Sequence, residues 1–226
     1  MNTTKKTSGF IGALFLTAMV ASLLGGGLVE SVISAPNHQV TSENETLLIV
    51  GILLELVNAI AVVGIASLMF PILKRYNETM AVGYLGFRII EAVFCSMIVI
   101  APLSLMTLSR EYLKAGISET QFQAAGILAI AERASVTNLL ILIFFCVGAF
   151  LLYSLFYQSK LLPRFISVWG LVAVVLILII NLLSLKLEIG MGISMIFALP
   201  IILNEIFMGI WLIAKGFNPS AVNATA

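Results

Sequence analysis

The chain has 226 residues, 61% of them hydrophobic and only 10% charged, with a net charge of +1 and a mean hydropathy of +1.13. A soluble domain carries roughly 25% charged and about 45–50% apolar residues, so too little polar surface is present to cover a globule in water. A soluble enzyme, a nucleic-acid-binding module, a disordered tail and a disulfide-stapled secreted domain are excluded, which leaves an all-α integral membrane bundle spanning residues 1–226 as a single membrane domain, its first partner the lipid bilayer.

Spans of about 20 apolar residues are needed to cross a bilayer core of about 30 Å, and six such stretches follow one another. The first, Gly9–Ile33, comes after Lys5 and Lys6 and has the outline of a signal peptide. It is too long for one, and Ser34-Ala35-Pro36 is a poor cleavage context, so it reads as a mature helix. Leu47–Leu73 and Met80–Met106 are the second and third spans. Between Thr107 and Ala134 the chain turns polar, and Ser118–Arg133 alternates Gln121, Gln123 and Glu132 with Phe122, Ile127 and Ile130. A helix continuous from Ser118 to Tyr157 would run about 60 Å, twice the bilayer core. Such a segment must protrude or break, a break falling near Gly126, and an amphipathic helix on the outer surface before the fourth span is the preferred expectation. Ser135–Tyr157, Phe165–Leu185 and Met191–Ala214 complete the set.

Orientation follows the basic residues. Lys5, Lys6, Lys74, Arg75, Lys160, Arg164 and Lys215 fall on one side, against Arg110, Lys114, Arg133 and Lys186 on the other. Both termini are expected to be cytoplasmic. Tyr76, Tyr84, Tyr153, Tyr157, Trp169 and Trp211 gather near the same ends, as rings that favour the headgroup layer do.

Ionisable groups inside spans carry the chemical information, because a charge at a helix centre costs about 2.5–3.5 kcal/mol on insertion scales and needs a partner or a purpose. The third span holds Arg88 and Glu91, three residues apart and so on one face, which Tyr84 extends. The second holds Glu55 and Asn58, and the sixth Asn204 and Glu205 beside Pro200, which frees the carbonyl of Ile196. At about 1.5 Å per residue, Arg88, Glu205 and Glu91 lie at similar depths, about 12–16 Å from the cytoplasmic end. Glu55 lies higher, at about 27 Å, with Asn58 and Asn181 between at roughly 22–24 Å. The result is a ladder of polar groups in which Arg88 is expected to pair with Glu91 or Glu205, away from lipid.

The sequence contains no Asp, which excludes aspartyl proteolysis in the membrane, and its one histidine, His38, lies in a polar loop. Cys95 and Cys146 sit far apart in apolar runs and read as buried small side chains. No catalytic residue, metal ligand or cofactor is implied.

Three stretches then carry a resemblance: Phe87-Arg88-Ile89-Ile90-Glu91-Ala92, Ser159-Lys160-Leu161-Leu162-Pro163-Arg164, and Asn204-Glu205 through Trp211-Leu212-Ile213-Ala214-Lys215-Gly216-Phe217. In this order they resemble a bacterial membrane-protein family catalogued as domain of unknown function 4386, over most of the chain from about Gly9 to Phe217. The resemblance implies a multi-pass helical protein, in a bacterium one of the cytoplasmic membrane, and supplies no reaction, ligand or partner. The residues themselves leave three functions open. One is binding or transport of a small molecule or lipid in a polar core built from Arg88, Glu91, Glu205, Asn204, Glu55, Asn58 and Tyr84. The second is a structural or accessory protein whose buried charges only hold helices together. The third is an intramembrane enzyme acting on a lipid or isoprenoid, with Glu91 or, the better candidate because it has no cation three residues away, Glu205 as proton donor.

Overall fold

A computed structural model describes residues 3–35, 39–115, 118–187 and 191–223; Pro36 and His38, named above, lie outside them. The described residues are helical, with no strand. The helices are α1 (Thr3–Ile33), α2 (Glu45–Leu73), α3 (Glu78–Met97), α4 (Ile100–Ala115), α5 (Glu119–Ser135), α6 (Leu142–Ser159), α7 (Arg164–Ser184), α8 (Met191–Ala214) and a short α9 (Pro219–Asn223). Between α5 and α6, Val136–Ile141 forms a π-helical turn. Six segments are long and apolar enough to span a membrane: α1, α2, α3 with α4, α5 through α6, α7, and α8 from Ile193. This is a six-span integral membrane protein.

Local chemistry sets several boundaries. The Asn77 side chain accepts from the N–H of Met80 at 3.0 Å and starts α3, while Ser118 accepts from Gln121 at 3.4 Å and starts α5, as side-chain oxygens do at N-caps. Lys160, with φ of 56°, ends α6 in the left-handed region, and Pro163 precedes α7.

One expectation for the fourth span is corrected, and the third span, continuous in length as expected, carries a lapse that the sequence did not mark. The third span is interrupted at Ile98–Val99, between α3 and α4. Pro102 has no N–H to give the carbonyl of Ile98, so the helical ladder lapses there; Arg133 Nη1 donates to that carbonyl instead, at 2.8 Å. The segment before the fourth span does not break at Gly126; of the two alternatives, protrusion is the one observed. Gly126 is buried within α5, and helix continues without interruption from Glu119 through the π turn to Ser159. Its excess length is paired with α4, where the rings of Tyr112 and Phe122 meet at 4.8 Å.

The six spans form a closed ring. Each packs on its neighbours in sequence, α1 on α2, α2 on α3, α3 on α6, α6 on α7 and α7 on α8, and α8 returns to α1. Without much hydrophobic drive between helices in lipid, close backbone approach has to hold them. A Cβ at Gly25 would sit 3.0 Å from the carbonyl oxygen of Gly51, joining α1 to α2. At the closing contact a Cβ on Gly12 would come within 2.5 Å of the Gly209 oxygen. Large apolar side chains cover the outside, Ile60 at 73% and Ile196 at 64% exposure among them, as a lipid-facing surface requires.

Two apolar clusters fill the bundle. The larger, with Ile11, Phe15, Met69, Tyr84, Tyr153 and Leu212, occupies the end that carries the termini. The smaller, with Val29, Ile33, Leu48, Ile52, Val99 and Leu105, occupies the far end. There the loop before α2 is tied to α4 by Val40 N–H donating to Ser109 Oγ at 2.9 Å, and the start of α2 by the Arg110–Glu45 ion pair.

Candidate functional site

The polar residues lie between the two apolar clusters. In α1 the order along the helix is Phe15 and Ala18, then Ser22 and Gly26, then Val29 and Ile33. In α3 it is Tyr84, then Arg88, Glu91 and Cys95, then Val99 just beyond its end. A ring of six helices leaves its axis to be filled by side chains, and where those side chains are polar a cavity of about 480 Å³ remains. Its walls come from every spanning segment: Ser22, Glu55, Asn58, Arg88, Glu91, Asn138, Asn181 and Glu205 supply the polar part, and Phe145, Ile65 and Ile177 part of the apolar one.

The third and sixth spans, α3 and α8, stand opposite one another in a six-membered ring, so Arg88 and Glu91 face Glu205 across the cavity. Arg88 and Glu91 are each 4% exposed. Arg88 Nη1 donates to both carboxylate oxygens of Glu91, at 2.8 and 3.2 Å. The guanidinium lies 5.6 Å from the centre of the Phe145 ring, and its stem rests on Gly148, where a Cβ would approach Arg88 Cδ to 3.1 Å. Arg88 Nε is buried without a hydrogen-bond partner. The expected pairing of Arg88 with Glu91 is therefore the one observed. Glu205 lines the same cavity and makes no ion pair within 4 Å among the described residues.

Glu55 is also in the wall, and its partner is a residue that sequence reasoning placed in a loop. Arg133, 8% exposed, donates to Glu55 through both terminal nitrogens, Nη1 to Oε2 at 3.1 Å and Nη2 to Oε1. The same Nη1 serves the Ile98 carbonyl. Arg133 is therefore not a loop charge. The signal was Glu55 itself, a carboxylate near the far end of its span with no cation on its own helix; Arg133, two residues before the fourth span, was available at that level.

The π turn brings further polar groups that hydropathy alone did not mark. Residues five apart in an α-helix sit about 140° apart at 3.6 residues per turn, but a π turn takes in an extra residue. Arg133, Asn138, Leu142 and Phe145 consequently share the cavity wall, with Thr137 and Ile141 beside them. Asn58 is in the wall as expected and makes only a 3.9 Å contact with Cys95 Sγ.

Asn204 and Tyr84 stand differently. Neither reaches the cavity wall. Asn204 is fully buried, and its Nδ2 donates to the Ile166 carbonyl of α7 at 3.0 Å while its Oδ1 has no partner. Tyr84 is fully buried with its hydroxyl unpartnered, as is Tyr153. These groups belong to the apolar end beneath the cavity.

The chain matches the family described as a domain of unknown function, DUF4386, over residues 10–216, and belongs to it. No curated protein and no solved structure matches it.

Proposed function

We propose that this DUF4386 protein binds a small molecule, or the polar part of a lipid, in the central cavity, and that its role is binding or transport. The observation that carries this reading is the cavity itself. A bundle that needed only stability would close around apolar side chains, since a well-packed apolar core is as stable as buried ion pairs or more so. Here about 480 Å³ stays open beside five ionisable groups. The Arg88–Glu91 pair also argues against a purely structural role. Its members are three residues apart on one helix, so it cannot hold two helices in register. It also leaves one guanidinium nitrogen, Nε, buried without a hydrogen-bond partner, which a pair kept only for stability would not need.

The wall has three carboxylates, Glu55, Glu91 and Glu205, against two guanidiniums, Arg88 and Arg133. Pairing each guanidinium with its carboxylate leaves Glu205, on α8, without a cation. A ligand bearing a single positive charge, or a neutral one taken up with a proton, fits that balance. Transport would require the apolar cluster at one end to part while the other stays closed. The Arg133–Glu55 pair, which joins α5 to α2, favours the structural reading for the far end alone.

The single membrane domain, cytoplasmic termini and a place in the cytoplasmic membrane of a bacterium complete the proposal. The test is thermal unfolding of purified protein in detergent, with a broad panel of small amines, zwitterions and lipids, from pH 5 to 9. A ligand at a hundred times its Kd stabilises by about 2.7 kcal/mol, which raises the Tm by several degrees. That shift should vanish in Glu205→Gln. If no compound moves the Tm at any pH, and a density map of the protein in lipid shows the Arg88 layer dry, the proposal is wrong.

A further inference from the structure

Two of the stretches singled out in the sequence, Ser159–Arg164 and Trp211–Phe217, have no part in the central cavity. The fold brings them together at the end of the bundle that carries the termini, around a separate recess of about 550 Å³. Lys160 and Arg164 flank the turn from α6 to α7, and Lys215 follows the last residue of α8. Lys5 of α1 approaches as well, its Cγ 4.0 Å from where a Cβ on Gly216 would sit. No carboxylate lines the recess, and none of the four cations has an ion-pair partner within 4 Å among the described residues.

The recess is built rather than incidental. Buried Leu161 and Phe217 give it an apolar floor. Asn218 fixes the strand of chain after α8 across the α6–α7 turn, donating from its N–H to the Leu161 carbonyl at 2.9 Å and from Nδ2 to the Lys160 carbonyl at 3.3 Å. Tyr76 secures the following residues by donating to the Ala221 carbonyl at 2.9 Å. Lys160 is the one non-glycine residue with positive φ among the described residues. Glycine would adopt that conformation at no steric cost; the lysine accepts a local penalty there and places its charge at the rim. Gly216 takes its φ of 75° where a side chain would meet Ser8 Oγ at 2.9 Å.

We propose that this recess holds the phosphate of an anionic phospholipid headgroup. Its rim lies where three spanning helices end, at the level of the headgroups, and converging basic side chains at such a level attract anionic lipid. Lys and Arg stems lie along apolar surface while their heads reach the phosphate. Arg164 is already oriented, stacked 5.0 Å from the Tyr157 ring centre, with its donor fork available for a phosphate. Trp211 in the wall suits the same layer. Four separate loop charges would serve topology equally well; their convergence on one recess with an apolar floor is what a headgroup needs.

The experiment uses the full chain in mixed micelles or nanodiscs, with phosphatidylglycerol and phosphatidylcholine as probes, read by native mass spectrometry. Phosphatidylglycerol should be retained over phosphatidylcholine by roughly tenfold, and Lys160→Gln/Arg164→Gln/Lys215→Gln should bring that ratio near one. Lys186→Gln, at the far end, should leave it unchanged. Arg164→Gln alone should lower the ratio at least threefold, which covers the case of an unstable triple variant. Equal retention of the two lipids by the wild type, or an unaltered ratio in the variants, overturns the proposal. So does displacement of phosphatidylglycerol by millimolar inorganic phosphate, which would assign the recess to a soluble anion. None of these results bears on the central cavity.

Discussion

A guanidinium does not shed its proton inside a protein, so Arg88 tolerates burial only with a carboxylate against it. Arg88→Leu leaves Glu91 buried and alone, at a cost of roughly 3–5 kcal/mol; Arg88→Met with Glu91→Leu should restore most of the loss. Glu43→Leu, at an exposed loop position, should change stability by no more than about 0.5 kcal/mol. Thermal unfolding in detergent separates the three. The second pair should behave differently, because Arg133 serves two acceptors. Arg133→Leu strands both Glu55 and the Ile98 carbonyl, and Arg133→Leu with Glu55→Leu should stay well below wild type, since no other donor replaces the N–H that Pro102 lacks. A double variant as stable as wild type would show that the carbonyl bond contributes nothing. The difference between the pairs also explains what could be read in advance. Arg88 and Glu91 declare each other through their spacing on one helix. Glu55 and Arg133 are 78 residues apart, and Arg133 sits in a segment polar enough to pass for a loop.

At the level of helices, the six spans were legible because lipid demands apolar length and little else; each candidate span overlaps an expected stretch, the third and fourth in more than one helix. Hydropathy is silent on what happens past the bilayer, which is why it left protrusion and a break both open for α5 and gave no sign of its pairing with α4. It is equally silent on register. Arg133 and Phe145 are twelve residues apart and both line the cavity, although at 3.6 residues per turn it is eleven residues that complete about three turns. The π turn absorbs the extra one. Deleting Leu139 should therefore produce an ordinary α-helix with Arg133 still against Glu55, and a protein that folds with only a modest fall in Tm. The cavity wall at Thr137 and Asn138 should retract, so a ligand found by the thermal screen should bind less well to the deletion variant. Loss of folding would mean that the turn is needed for more than wall position.

Taken whole, the molecule is a ring whose closure no local pattern announces: Gly12 and Gly209, at the seam, are ordinary glycines in apolar runs until the backbone of one meets the other. Gly12→Leu should force α1 from α8 and cost about 1–3 kcal/mol, as overpacking does, with accelerated proteolysis at the termini as a second readout. Six crossings put both termini on one side, and with Arg133 withdrawn from the loops the basic residues favour that side by seven to three. Reporter fusions at either end should accordingly be active only in the cytoplasm; a periplasmic signal at both ends would invert the assignment. The two ion pairs also differ in when they can form. A nascent chain enters the bilayer helix by helix, and Arg88 meets Glu91 as soon as their shared helix is made. Glu55 must wait for Arg133, and at about 5–20 residues per second of synthesis that delay is roughly 4–16 s. Through that interval the second span carries a solitary carboxyl, so the far end of the young protein is the part most dependent on whatever shelters unfinished helices at the ribosome.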